Sequence, residues 1–341
     1  MLGCVIHGQD DLRVDELPVP SPGPGQALVA VRYGGVCGSD LHYWRHGGVG
    51  DFRLREPMVL GHEVVGTVLA YGDGASGPVP GTAVAVHPAT ECGACPECRD
   101  GRANVCRDTR YLGSAARTPH VQGGFAAQVV VPARQLRAVP AGLELRRAAL
   151  AEPLSVALHA VRRAGSVAGR HVLVTGAGPI GCLVVAAAKA AGAAHVTVTD
   201  LLPQALEYAS AAGADTVVRA DHPGDAGWPS EVDAAIEASG VAAGLDTCLR
   251  LVRRGGVVVQ LGMLPPGQSP FAGNLVVSRE IELRGAFRFD AEFDSALELL
   301  AAEPAFDALV SAVVPVRDAE SAFALAADRS RSCKVLLDFG S

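Results

Sequence analysis

The sequence predicts an α/β protein: a doubly wound parallel sheet joined to a discontinuous β-rich domain. Three observations lead there. From Leu154 to Leu261, apolar strand-like runs alternate with Ala-rich helical segments, the pattern of a parallel sheet with crossover helices. Before that stretch the chain is short apolar runs punctuated by Gly and Pro, which reads as a β-rich, partly barrel-like unit. The length of 341 residues exceeds one ordinary core and suits two domains.

Taken in order, Ala27–Val31, Val64–Leu69 and Ala83–Val86 are predicted strands of the first unit. Leu154–Ala164 reads as a helix, followed by strands at His171–Thr175, His195–Thr199, Thr216–Val218, Val232–Ile236 and Gly256–Leu261. From about Gly285 the pattern becomes mixed and ends in a strand at Lys334–Asp338, which is expected to rejoin the first unit. The predicted boundaries are therefore 1–153, with a cysteine-rich lobe at 88–110, then 154–284, then a return segment at 285–341.

Hydrophobic residues make up 49% and charged residues 19%, enough apolar material for buried cores. A net charge of −7 without any Lys/Arg run leaves no footprint for nucleic acid or an anionic membrane, so a small molecule is the expected partner. Met1–Leu12 carries Asp10 and Asp11 and lacks the form of a signal peptide. The most apolar stretch, Cys182–Val198, is broken by Lys189, Gly192 and His195, too early for a membrane span. A cytoplasmic protein is expected. The two lysines, Lys189 and Lys334, stand apart from every motif, so lysine general-base or Schiff-base chemistry is not expected.

Of nine cysteines, Cys4, Cys182, Cys248 and Cys333 stand alone and read as small core residues. Cys92, Cys95, Cys98 and Cys106 are instead crowded, with Gly93 and Pro96 turning the chain between them. Four thiolates on a tight loop suit the tetrahedral demand of structural Zn²⁺, an iron–sulfur site being the alternative. A closed site of this kind stabilises without doing chemistry. A second, dispersed group is Cys37, His62, Glu63 and Glu152. One thiolate, one imidazole and one or two carboxylates can hold Zn²⁺ with a position left open, although each residue taken singly has an ordinary structural role.

Gly176-Ala-Gly178-Pro179-Ile180-Gly181 follows a predicted strand and precedes a predicted helix, the context that the dinucleotide fingerprint requires. Asp200 closes the next strand about 20 residues on, where a carboxylate would bind the adenosine ribose. Leu201-Leu202-Pro203 supply no cation for a 2′-phosphate, so NAD is expected over NADP. Ser239-Gly240 and Leu261-Gly262 sit at the carboxyl ends of predicted strands and should border the nicotinamide ribose.

Together, Cys37 through His62-Glu63, the cysteine lobe, Glu152-Pro153-Leu154-Ser155 and the Gly motif resemble the zinc-containing medium-chain dehydrogenases over essentially the whole chain. Residues 37–44 and Pro57–Glu63 look like the sorbitol dehydrogenase branch. Gly113-Ser114, Pro119-His120-Val121, Gly123-Gly124-Phe125 and Glu280–Phe289 resemble its L-idonate 5-dehydrogenase subfamily. The resemblance implies a GroES-like catalytic domain, a Rossmann domain, two zinc ions per chain and NAD. It implies Cys37, His62 and Glu63 as zinc ligands, with Glu152 acting through water or exchanging with Glu63. Ser39 would accept the substrate proton, His42 would relay it outward, and Asp40 would orient His62.

The implied reaction is oxidation of a secondary hydroxyl on a sugar acid, L-idonate foremost, or on a sorbitol- or xylitol-type polyol, by a homodimer or homotetramer. A carboxylate substrate needs a cation, and bidentate arginine is the best partner. Arg288 is the candidate, with Tyr43 as a further substrate contact and His120 and Arg117 as weaker cationic ones. The resemblance places an arginine at Arg288 in the polyol branch too, and an interdomain salt bridge is its ordinary alternative role.

Overall fold

Continuous Val/Ala/Leu runs set the central sheet. Val172, Leu173, Val174, Val196, Val198 and Ile236 are fully buried, as strands covered on both faces by helices must be. A computed structural model describes residues 1–222 and 227–340; residues 223–226, within the predicted 154–284 segment, and Ser341, the last of the return segment, lie outside the described residues. The six parallel strands run, edge to edge, Thr216–Arg219, His195–Asp200, His171–Thr175, Val232–Glu237, Val252–Gln260 and Glu282–Gly285. The order reverses at His171–Thr175, so the crevice at its carboxyl end is where a ligand binds in such a sheet.

Two differences from the sequence expectation have simple causes. Glu282–Gly285 is an edge strand with mostly exposed residues, so it lacks the apolar run by which its neighbours are recognised. The helix expected from Leu154 begins at Ala151, which puts Glu152 and Pro153 inside its first turn.

The second large sheet has seven strands. Gln26–Gly35 is its hub: one edge pairs with Glu63–Tyr71, and the other pairs with Gln128–Pro132 along its first half and Lys334–Asp338 along its second. Val310–Pro315 adds parallel to Lys334–Asp338, so the chain's last strands complete a sheet begun at Gln26–Gly35. Val29, Val31, Val84 and Val86 are fully buried against it. Among the described residues no helix is long and apolar enough to cross a membrane.

Candidate active site

Three short strings converge at the end of the hub strand. Past Gly35 the chain turns at Cys37, which caps the helix Gly38–His46; Asp40, at the third helical position, accepts the Cys37 backbone N–H at 2.9 Å and that of Gly61 at 3.3 Å. Asp40 thereby ties the cysteine loop to the loop that presents His62 and Glu63. It stands 4.0 Å from His62 Nδ1, too far for the direct hydrogen bond expected of an orienting carboxylate. Gly35 pairs opposite Glu63, and a β-carbon there would collide with the Glu63 carboxylate, so glycine makes the room.

Candidate ligand atoms of Cys37, His62 and Glu63 lie within 4.8 Å of one another. Among the described residues Glu152 is not in that group: its Oε1 accepts the Tyr111 hydroxyl at 2.6 Å. The trio fits a zinc ion. Burial opposes charge on His62, but the Cys37 sulfur, Asp40 and Glu152 lift its imidazole to about 10, and burial raises the Glu63 carboxyl to about 7. Acidic groups crowd a dry pocket, a condition that a divalent cation relieves. Glu63 Oε2 is buried and without an aligned hydrogen bond.

Lys334 corrects the expectation that no lysine lies near a motif. Almost fully buried, its Nζ donates to Glu63 Oε1 at 2.7 Å and to Val36 O at 3.1 Å, and lies 2.6 Å from Glu63 Oε2 in ionic contact. Burial alone would lower its pKa, yet Glu63 and the other nearby acids hold it above the ordinary value. It is a fixed counter-ion to a carboxylate, which leaves it no nucleophilic role.

Along the helix Gly38–His46, Ser39 is half-buried, Asp40 and Tyr43 are buried and His42 is exposed, so the first helical turns run from the metal group toward solvent. Burial and the His46 ring, 5.5 Å away, hold the His42 imidazole below its ordinary pKa. Tyr43 accepts the Ala115 N–H at 2.9 Å. Arg288 adopts a left-handed conformation (φ 53°) and lays its guanidinium over the Tyr111 ring at 4.2 Å, while Tyr111 stands 5.6 Å from His62, ring to ring. Among the described residues Arg288 has no ion pair, so the salt-bridge alternative does not describe it.

His120 and Arg117 both have partners within the protein. His120 is buried, with Nδ1 donating to Arg117 O at 2.7 Å and Nε2 accepting the Arg55 N–H at 2.9 Å, so both ring nitrogens are used. Arg117 is spent on Asp108 at 2.7 Å and on backbone carbonyls of the cysteine lobe.

In that lobe the sulfurs of Cys92, Cys95, Cys98 and Cys106 lie within 4.8 Å of one another. Backbone N–H groups of Cys95 and Asp108 point at the Cys92 and Cys106 sulfurs, each at 3.3 Å. Burial opposes ionisation of Cys106, but such donors bring its thiol down to about 6. Four converging thiols, one already acidic, fit a closed tetrahedral zinc.

At the parallel sheet, Gly178 starts the helix Pro179–Ala190 without a side-chain cap, with Pro179 pre-set at its first position, so the first N–H groups are free for phosphate. Gly176 has φ 91°, and a β-carbon on Gly181 would strike the Gly176 carbonyl. Asp200 Oδ2 accepts the Ala177 N–H at 2.7 Å and meets Arg329 Nη2 at 2.6 Å. On the opposite side of the crevice, the fully buried Glu237 carboxylate gathers the N–H of Ser239 at 2.7 Å, the Ser239 hydroxyl, and Gln260 Nε2 at 2.6 Å; its carbonyl accepts from Leu261 and Gly262, each at 2.9 Å. One acid thus shapes both turns, Ser239-Gly240 and Leu261-Gly262.

Sequence reasoning missed Tyr111, Glu237, Arg329 and Lys334 as members of these sites. Glu237 alone carried a signal, being an acid that closes an apolar strand as Asp200 does.

The model of the alcohol dehydrogenase GroES-like domain matches residues 23–141, and that of zinc-binding dehydrogenases matches residues 179–302. The chain is 40% identical to L-idonate 5-dehydrogenase (NAD(P)⁺) of Escherichia coli, covering 98% of each protein. It is 34% identical to sorbitol dehydrogenase of Bacillus subtilis over 88% of this chain and 86% of that one. The crystal structure of the Escherichia coli L-idonate 5-dehydrogenase superposes with a TM-score of 0.93 at 38% identity, covering 99% of this chain and 97% of that one. A zinc-binding dehydrogenase from Sinorhizobium meliloti bound to NADP gives a TM-score of 0.88 at 31% identity, covering 99% and 98%.

Proposed function

We propose, from the premise that this chain belongs to the zinc-binding alcohol dehydrogenase family, that its substrate is a small sugar acid, with L-idonate oxidised to 5-keto-D-gluconate as the leading case. The protein is a zinc- and NAD-dependent dehydrogenase acting on a CH–OH group. The observation that carries the substrate reading is the likeness to an L-idonate enzyme over 98% of both chains; Arg288, stacked on Tyr111 beside Glu152 and His62 and without an ion pair among the described residues, is the cation that a carboxylate would meet. A carboxylate there makes charge-assisted, bidentate hydrogen bonds.

When bound, zinc supplies the Lewis acidity that makes a hydroxyl easier to deprotonate, and NAD accepts the hydride. The chain's residues do the rest. Cys37, His62 and Glu63 would hold the metal, with Glu63 braced by Lys334. Ser39 takes the hydroxyl proton and His42, exposed on the same helix, passes it to water. Tyr111 holds Glu152 beside the reacting group. Gly176, Gly178, Pro179, Ile180 and Gly181 would cradle the pyrophosphate, and Ser239, Leu261 and Gly262 would border the nicotinamide ribose.

We place the enzyme in the cytoplasm, as a homodimer or homotetramer. Nine unpaired cysteines suit a reducing compartment, and the edge strand Glu282–Gly285 has a free side with Leu283 exposed.

The test is steady-state kinetics on L-idonate, other aldonates, sorbitol and xylitol for the parent and Arg288→Met. The parent should prefer the aldonate, and the variant should lose about 10–150-fold in kcat/KM on it, the worth of a charged hydrogen-bonded contact, while polyol turnover changes little. A parent that prefers sorbitol or xylitol would establish the polyol reading, which the sorbitol dehydrogenase relatives favour.

A further inference from the structure

Asp200 ends its strand where the adenosine ribose binds in a sheet of this kind, yet it does not face that place as a bare anion. Its Oδ1 accepts the Leu202 N–H at 3.0 Å, and its Oδ2 is shared between the Ala177 N–H and Arg329. Arg329 lies 129 positions away in sequence, between the helix Ala319–Ala327 and the strand Lys334–Asp338. It is contributed by the segment that returns to the seven-stranded sheet. A methyl group on Gly178 would sit 3.6–3.8 Å from the guanidinium, so the cation overlies the turn that meets the dinucleotide. The side chain is 43% exposed and, among the described residues, its other N–H groups make no hydrogen bond.

An unpaired acid at this position selects NAD twice over, by binding the ribose diol and by repelling a 2′-phosphate. The ion pair removes the second effect. A phosphate ester on the 2′-oxygen would meet a planar, permanently charged fork with donors to spare, and the Asp200 charge is already balanced. We propose that Arg329 sets cofactor choice in this chain: it takes the 2′-phosphate when NADP binds and leaves Asp200 to the ribose hydroxyls when NAD binds, so that both dinucleotides are used. This rests on the dinucleotide site built from Gly176–Gly181 and Asp200. The pyrophosphate has its own partners in the uncapped N–H groups at the start of the helix Pro179–Ala190, which leaves Arg329 to the ribose side.

The experiment titrates NADH and NADPH separately into the zinc-loaded full chain, following nucleotide fluorescence, with 5′-AMP and 2′,5′-ADP as competing probes. Parent, Arg329→Gln, Arg329→Lys and Asp200→Asn are compared, each first checked by a thermal melt without nucleotide. The parent should bind NADPH within about tenfold of NADH; Arg329→Gln should lose about tenfold or more for NADPH and 2′,5′-ADP with NADH and AMP changed by less than about threefold, and Arg329→Lys should retain most of the NADPH affinity. Asp200→Asn should weaken NADH and spare NADPH. Equal losses for both dinucleotides in Arg329→Gln would move the arginine to the pyrophosphate and overturn the proposal, as would a parent that binds NADPH more than about 100-fold more weakly than NADH. Failure of the underlying site looks different: Asp200→Asn would then leave NADH, NADPH and AMP binding all unchanged.

Discussion

Replacing Lys334 by Met tests the buried ion pair beside the metal group. Lys334 is 3% exposed and Glu63 1%, so the substitution leaves a carboxylate in a dry pocket with Cys37 and Glu152 near it and no ammonium against it. Removing one partner of a buried ion pair costs about 3–5 kcal/mol. At about 2–4 °C per kcal/mol for a folding unit of this size, the melting temperature of chelator-stripped protein should fall by about 6–20 °C. The fall should be smaller in the zinc-loaded form, because a divalent cation on Glu63 replaces part of the lost attraction. Val36 O also loses its donor, which adds to the loss in both forms. Calorimetry on both forms, with the double variant Lys334→Met/Glu63→Gln alongside, provides the assay. The neutral pair should recover at least half of the loss in stripped protein. A stripped Lys334→Met variant melting within about 2 °C of its parent would refute the claim that Lys334 compensates the Glu63 carboxylate.

The cysteine lobe should act on stability more than on turnover. Elemental analysis should find about two zinc ions per chain, and Cys95→Ser should lower both zinc content and melting temperature because it opens a closed site coupled to folding. Ser39→Ala should depress kcat for alcohol oxidation by about 10²-fold with zinc content and NADH affinity preserved, and His42→Ala should do less, its defect shrinking as pH rises. Unchanged kcat in Ser39→Ala, with a deuterium isotope effect showing chemistry to be limiting, would remove the relay. Glu292 gives the pH prediction. Burial pushes its carboxyl up, but His159, 3.0 Å away, and the Asp290 N–H bring it down to about 2. A depressed acid stabilises above its unfolded pKa and loses that contribution as pH falls through the folded value. The exposed Arg162 also meets Glu292 Oε1 at 3.2 Å, and with its solvent screening allowed for, the stability gap between parent and Glu292→Gln is about 2 kcal/mol; it should be full above about pH 4.5 and close toward pH 2 in denaturant titrations.

Much of this enzyme is written in short strings. Cys92, Cys95, Cys98 and Cys106 span a single loop, and Gly176–Gly181 spans one turn between a strand and a helix, so spacing alone determines what those residues can hold. The interior parallel strands are legible for the same local reason: burial on both faces demands unbroken apolar runs, whereas the edge strand Glu282–Gly285 carries no such demand and escaped notice. Cys37 and His62-Glu63 were recognisable from the strings around them, although no rule of spacing joins them.

Only the tertiary structure decided which charges meet. Lys334 reaches Glu63 across 271 positions, Arg329 reaches Asp200 across 129, and Tyr111 reaches Glu152 across 41. It also gave His120 its partners, both ring nitrogens being engaged by backbone groups of neighbouring loops. A side chain's type says what it can bind, but its partner depends on which strands pair and which loops are brought to one crevice. In this fold the return of the last strand, Lys334–Asp338, to the hub strand Gln26–Gly35 carries the chain's final cations to sites that its first two hundred residues prepared.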